Sequence, residues 1–176
     1  MNRPFPVFAP LLFALAGAQM LFVYSYIEHE RTFYFWDHAM YYGMARQFYE
    51  IAARDPAAGL SMLGGSLGHN YNLLFAVPSL FTFSLFGPSR LVFILTNFGV
   101  FFLAYELAVA FFFRRAMGVG WRVALAASFG SALLIPPLWL PLLEGYPDNG
   151  AAACIVLAAA LGWGVVKGPG SLARAA

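Results

Sequence analysis

Four apolar stretches, Val7–Ile27, Leu91–Phe113, Val123–Leu143 and Gly150–Val166, share a single charged residue, Glu106. A helix needs about 20 such residues to cross the hydrocarbon core of a bilayer. The whole chain is 61% hydrophobic and 10% charged, against about 25% charged in soluble domains. These runs predict an all-α integral membrane protein with about four transmembrane helices. The net charge of +2 implies no nucleic-acid partner. The single cysteine, Cys154, excludes an internal disulfide and a cysteine-based zinc site. It reads as a small buried residue inside an apolar run. The N-terminus resembles a secretory signal as far as Ala16-Gly17-Ala18, but its apolar run continues through Phe22, Val23 and Tyr24. Signal cores are about 7–15 residues long, so Val7–Ile27 reads as an uncleaved first span.

A fifth apolar stretch, Tyr71–Phe86, is short, carries Pro78 and ends at Gly87-Pro88. Charge decides whether it crosses. If it does not, Arg3, the cluster Arg114, Arg115 and Arg122, and Lys167 and Arg174 all face the cytoplasm. If it does, every one of these cations beyond Arg3 moves outside. The positive-inside rule favours the first arrangement. Tyr71–Phe86 is then a helix lying in, or dipping into, the external leaflet, and both termini are cytoplasmic. The same topology gathers Glu28, Glu30, Asp37, Glu50, Asp55, Glu144 and Asp148, with His29, His38 and His69, on the external face.

Residues 28–89 form one long external loop, too apolar and aromatic for a disordered segment. Beyond Trp36 the apolar residues Met40, Met44, Phe48 and Ile51 or Ala52 recur at helical spacing. They predict an amphipathic surface helix over 37–54, with Asp37 at its N-cap and Asp55-Pro56 as its end. Glu50 and Arg54 are spaced to pair at i, i+4. The Gly- and Ser-containing stretch Gly59–Gly68 reads as a mobile loop suited to closing over a substrate, followed by the surface helix 71–86. Asp37 has two readings, a simple helix cap or a functional acid at the lipid–water boundary beside His38. Tyr41 and Arg46 are interfacial anchors or site residues. Gln19, Asn97 and Glu106 look scattered over the spans. A buried acid such as Glu106 invites a transport reading, against snorkelling toward Arg114 and Arg115 or a bond to another span.

The order of these features resembles the GT-C superfamily, membrane glycosyltransferases that use polyprenyl-phosphate-linked sugars and include the aminoarabinose and protein O-mannosyl transferases. The family motif is an Asp, usually followed by a second acid, with Tyr four and Arg nine residues after it. Here Asp37, His38, Tyr41 and Arg46 stand in that spacing, His38 replacing the second acid. Leu85-Phe86-Gly87 followed by Arg90, the Arg114-Arg115 turn with Gly118, and Asp148 in EGYPDN continue the likeness. The Pro-Pro-Leu that usually opens the short surface helix is replaced by HNYNLL. Family enzymes have many more spans, so by this resemblance the chain looks like an N-terminal GT-C-like module alone or a truncated product.

The resemblance implies a polyprenyl-phosphate sugar donor and a hydroxyl acceptor on a lipid, glycan or protein. The active face would be the external or periplasmic side of a bacterial inner or plasma membrane. It implies Asp37 as general base for inverting, in-line transfer, with Arg46 and Arg90 for the leaving phosphate and Tyr41 and His69 as substrate contacts. A divalent metal, Mg or Mn, would sit on Asp37 and Asp148, with His38. His69 and Asp148 are equally placed to cap the helices that follow them, and Arg90 to anchor its span. A non-catalytic membrane subunit working with a second membrane polypeptide is the alternative, and a small transporter the next. The charge argument is testable by cysteine labelling in a Cys154→Ala background. A His69→Cys variant should react with a membrane-impermeant maleimide in intact cells. A Met117→Cys variant should react only after permeabilisation, and the reverse pattern would invert the topology.

Overall fold

The computed structural model describes residues 5–29, 37–69, 71–134, 139, 142–143 and 146–166, and every regular element among them is helical. Helix α1 spans Phe5–His29, α2 Asp37–Arg54 and α3 Pro56–Ser66. A 3-10 turn, Leu73–Ala76, runs into α4, Val77–Phe86. Helix α5, Arg90–Asn97, continues through a π-helical turn, Phe98–Phe102, into α6, Leu103–Met117. Helices α7, Trp121–Leu134, and α8, Asp148–Val166, complete the chain.

Two of these helices, Ala9–His29 and the continuous rod Arg90–Met117, are long and apolar enough to cross a membrane. Helices α7 and α8 are apolar but shorter over the described residues, so the four-span expectation is met in part. The rod is the centre of the assembly. Its α6 half packs most extensively on α8 and α7, and α1 lies against α5 and α7. One core joins Val23 of α1, Phe48 of α2, Phe83 of α4 and Phe93, Phe98 and Phe102 of the rod. A second, around Ala110, Leu125 and Phe129, seals α6 against α7.

Inside this packing sits Glu106, fully buried. Gln19 Nε2 of α1 donates to Glu106 Oε1, and Ser128 Oγ of α7 donates to the Glu106 backbone oxygen at 2.6 Å. Gln19 and Glu106 are therefore partners rather than scattered residues. Of the readings open for Glu106, the bond to another span is the one observed. Asn97 lies apart from this cluster, buried beside the π turn, its side-chain amide without a hydrogen bond among the described residues.

The segment 37–89 forms a second layer packed on the start of the rod. Helix α2 ends at Arg54 as its sequence predicts, but its buried positions are Ala45 and Phe48, with Tyr41, Tyr42, Met44 and Tyr49 packed around them. The predicted stripe through Met40 and Met44 is thus rotated toward the tyrosines. Apolar and aromatic side chains cover a wide arc of this helix, opposite the polar face of Arg46, Gln47, Glu50 and Arg54, so periodicity alone does not select which part of that arc faces inward.

Gly59–Gly68 is not a loop. Helix α3 runs through it to Ser66, capped by Asp55, whose Oδ1 accepts from the Ala57 and Ala58 amides at 2.9 and 3.1 Å. A Cβ on Gly59 would stand 2.7 Å from Ala52 Cβ, so glycine here lets α3 lie against α2. The helix predicted over 71–86 starts at Leu73, capped by Asn72 rather than by His69. Three bonds fasten the layer. Ser66 Oγ accepts from the Leu73 amide (2.9 Å), Tyr42 Oη donates to the Pro88 carbonyl (2.9 Å), and the Thr82 and Thr96 hydroxyls bond at 2.7 Å.

Removing one member of a buried hydrogen-bonded pair leaves the other desolvated and unsatisfied, at about 1–3 kcal/mol. Gln19→Leu should destabilise the helix bundle by about that amount. The double variant Gln19→Leu with Glu106→Leu should recover part of the loss. Unfolding in mixed micelles measures both, and strictly additive losses would mean that the pair is not coupled.

Candidate functional site

The seam between the surface layer and the α6–α8 pair opens as a groove of about 750 Å³. Helix α2 supplies Tyr41, the segment leading into the 3-10 turn Tyr71 and Asn72, and the approach to α8 Pro147 and Asp148. Below these the walls are apolar: Phe101 and Ala104 from the rod, Gly150 and Leu157 from α8. The groove has a polar head and an apolar floor.

Aromatic contacts hold the head together. The Tyr41 ring meets Phe75 at 5.2 Å, Tyr146 at 5.6 Å and Tyr71 at 6.1 Å, each edge to face. Such pairs contribute about 0.5–1.5 kcal/mol beyond their buried area. Tyr41 thereby links α2, the 3-10 segment and the approach to α8. On the floor, a Cβ on Gly150 would stand 2.7 Å from Phe101 Cδ1. The close approach of α8 to the rod depends on that missing side chain. Phe101 belongs to the π turn, whose extra residue changes the direction in which side chains leave the helix.

The residues singled out from the sequence divide into two groups. Tyr41 and Asp148 line the same groove, Asp148 as the exposed first residue of α8. Helix α2 begins at Asp37, so Asp37 and Tyr41 are one turn apart on one face. The side chains of Asp37 and His38, and all of Glu144, lie outside the described residues.

The second group is engaged elsewhere. Arg46 is exposed, its Nε 2.8 Å from Glu50 Oε1, and the hydrogen bond and charge of Glu50 hold its guanidinium above the ordinary value. Glu50 therefore pairs with Arg46 rather than with Arg54. Arg90 is half-buried and donates from Nη2 to the Leu143 carbonyl at 2.9 Å, tying the start of the rod to the segment before α8. His69 is exposed in the turn after α3. None of these three lines the groove.

Cys154 corrects an expectation: it is exposed on the groove wall, not buried. Tyr71, Phe101 and Gly150 are groove residues that sequence reading did not single out. Tyrosine at an interface was the one available signal, whereas nothing local marks the π turn or the contact of Gly150 with Phe101. Among the described residues no three His, Cys, Asp or Glu side chains cluster as metal ligands. Asp148 is the one described carboxylate in the groove, and the Asp37 and His38 side chains that would complete a ligand set with it lie outside the described residues.

Comparison with protein-family models, with curated proteins and with solved structures gives no match.

Gly150→Val should drive a side chain into Phe101 and push α8 off the rod, costing about 1–3 kcal/mol by overpacking. A thermal-unfolding scan in detergent reads the loss, and an unchanged midpoint would mean that the contact is not tight.

Proposed function

We propose that this chain acts as a GT-C-type membrane glycosyltransferase, alone or as a module of a larger transferase. The reaction moves a sugar from a polyprenyl-phosphate donor to a hydroxyl on a lipid, glycan or protein. It takes place at the external face of a bacterial inner membrane, with four spans and cytoplasmic termini. The observation that carries the reading is the groove itself. Tyr41 and Asp148 stand at its polar head, an apolar floor runs down between α6 and α8, and Asp37 lies one helical turn from Tyr41. A substrate with a sugar head and a hydrocarbon tail matches that division.

In this reading Asp37 accepts the proton of the acceptor hydroxyl as its oxygen attacks the anomeric carbon. The bond from that carbon to the phosphate oxygen breaks, polyprenyl phosphate leaves with the electron pair, and the configuration inverts. Tyr41 and Asp148 offer hydrogen bonds that orient the sugar. Arg46 and Arg90 serve the leaving phosphate only after turning from Glu50 and the Leu143 carbonyl. His69 contacts substrate only if its turn moves toward the groove. A divalent cation on Asp148, Asp37 and His38 belongs to the same reading and is tested by activity before and after chelation.

One observation favours a second reading, a non-catalytic membrane subunit: no cation lines the groove among the described residues. Purified protein in proteoliposomes, supplied with polyprenyl-phosphate sugars and a membrane acceptor extract, separates the two. Asp37→Asn should lower transfer at least about 100-fold, the usual scale of a general base. Full transfer by Asp37→Asn would sink the catalytic assignment. Wild-type inactivity, together with co-purification of a second membrane polypeptide, would establish the subunit reading.

A further inference from the structure

The groove of Tyr41 and Asp148 holds a polar side chain that the chemistry above leaves unused. Asn72 lines it, half-buried, in the segment leading into the 3-10 turn. Its Oδ1 accepts from the Leu74 amide at 3.2 Å. That bond fixes which way round the side chain sits. A backbone N–H can only donate, so the atom it meets is the amide oxygen and not the nitrogen. Nδ2 is left with both of its N–H donors, and among the described residues it has no partner.

The other side of the seam carries the complementary chemistry. Asp148 of α8 lines the same groove, and a carboxylate only accepts. Near them the Tyr41 and Tyr71 rings meet edge to face at 6.1 Å. Aromatic walls with a few placed polar groups are the make-up of a small-molecule site. A hydroxyl both donates and accepts, so a head bearing several hydroxyls can use the donor and the acceptor together. A head without them leaves the donor unpaired once it fills the groove. A site built to bond a hydroxyl rejects an analogue that lacks it for that reason.

We propose that Asn72 selects the ligand of this groove, its Nδ2 donating to a hydroxyl of a sugar head while the hydrocarbon tail lies on Phe101, Ala104 and Leu157. This rests on the reading of the groove as the seat of a sugar-bearing lipid, and it adds the residue that tells such a lipid from a plain alkyl chain. Cap and donor are separate duties of one side chain, and substitution can part them. Asp caps as well as Asn does and has no N–H donor. Ser also caps and is uncharged, but it is too short to place a donor where Nδ2 stands.

Binding of radiolabelled dodecyl β-D-glucoside to the full chain in phospholipid nanodiscs tests this, with empty nanodiscs as background. Wild type should bind it saturably, displaced by unlabelled glucoside and not by dodecanol, which has the tail without the sugar. Asn72→Asp and Asn72→Ser should each weaken binding about tenfold, the scale of one hydrogen bond. Their thermal-unfolding midpoints should match wild type, because the cap is kept. Binding by both folded variants at the wild-type level overturns the role of Asn72 and leaves the sugar reading of the groove standing. A loss confined to Asn72→Asp traces to its added charge and overturns that role too, and Asn72→Ser decides alone if Asn72→Asp is not folded. Absence of saturable binding by wild type, or displacement by dodecanol as readily as by glucoside, overturns both the role and the sugar reading. None of these results bears on proton transfer, which Asp37→Asn tests separately.

Discussion

A carboxyl buried in an apolar bundle has to find a hydrogen-bonding partner, and Glu106 is bonded from two other helices, at its carboxyl by one and at its backbone oxygen by the other. Gln19 reaches it from α1, and Ser128 of α7 takes its backbone carbonyl. An unsatisfied polar group in such surroundings costs several kcal/mol, so these bonds restrict how the three helices can slide or rotate. The apolar contacts around them are less selective, because leucine and phenylalanine pack in many registers. With α1 and α7 set against α6, the rod Arg90–Met117 becomes the frame on which both α8 and the surface layer are hung.

Two grooves form where parts of this assembly meet, and in each a glycine sets how close they come. Gly59 lets α3 lie on α2, and Gly150 lets α8 lie on Phe101 of the π turn. A side chain at either position would separate the helices and change the shape of the cleft beside them. The two clefts differ in their edges. One carries Tyr41, Asn72 and Asp148 at its head, whereas the other, between α2, α3 and α4, is lined almost wholly by apolar residues such as Phe48, Leu63 and Leu80.

Much of the helical framework was legible in the sequence, because long apolar runs and the breaks at Asp55-Pro56 and Gly87-Pro88 are local signals. The start of the surface helix at Asp37 was legible too, and α2 carries Tyr41, four residues on, to the groove. The failures share one cause. Gly59–Gly68 was read as a loop because glycine is a poor helix former, yet Gly59 is needed for packing against Ala52. Cys154 was read as buried because it sits in an apolar run, yet hydropathy does not distinguish a lipid-facing wall from a core. Arg46 and Arg90, which the resemblance offers to a leaving phosphate, are a different case. Their observed partners, Glu50 and the Leu143 carbonyl, depend on rotamers and on a contact across 53 residues.

By itself the sequence determined that the chain is helical and apolar, which residues begin and end several of its helices, and that its acids collect in the segments between apolar runs. These follow from hydrophobicity and backbone preference, which act within a few residues of each position. Tertiary structure decided that Glu106 belongs to Gln19, that Glu50 pairs with Arg46, and that Tyr41 and Asp148 share a groove while His69, Arg46 and Arg90 do not line it. Those outcomes rest on which helix faces meet and which hydrogen-bond partners come within reach. Nothing local to the residues involved encodes that information.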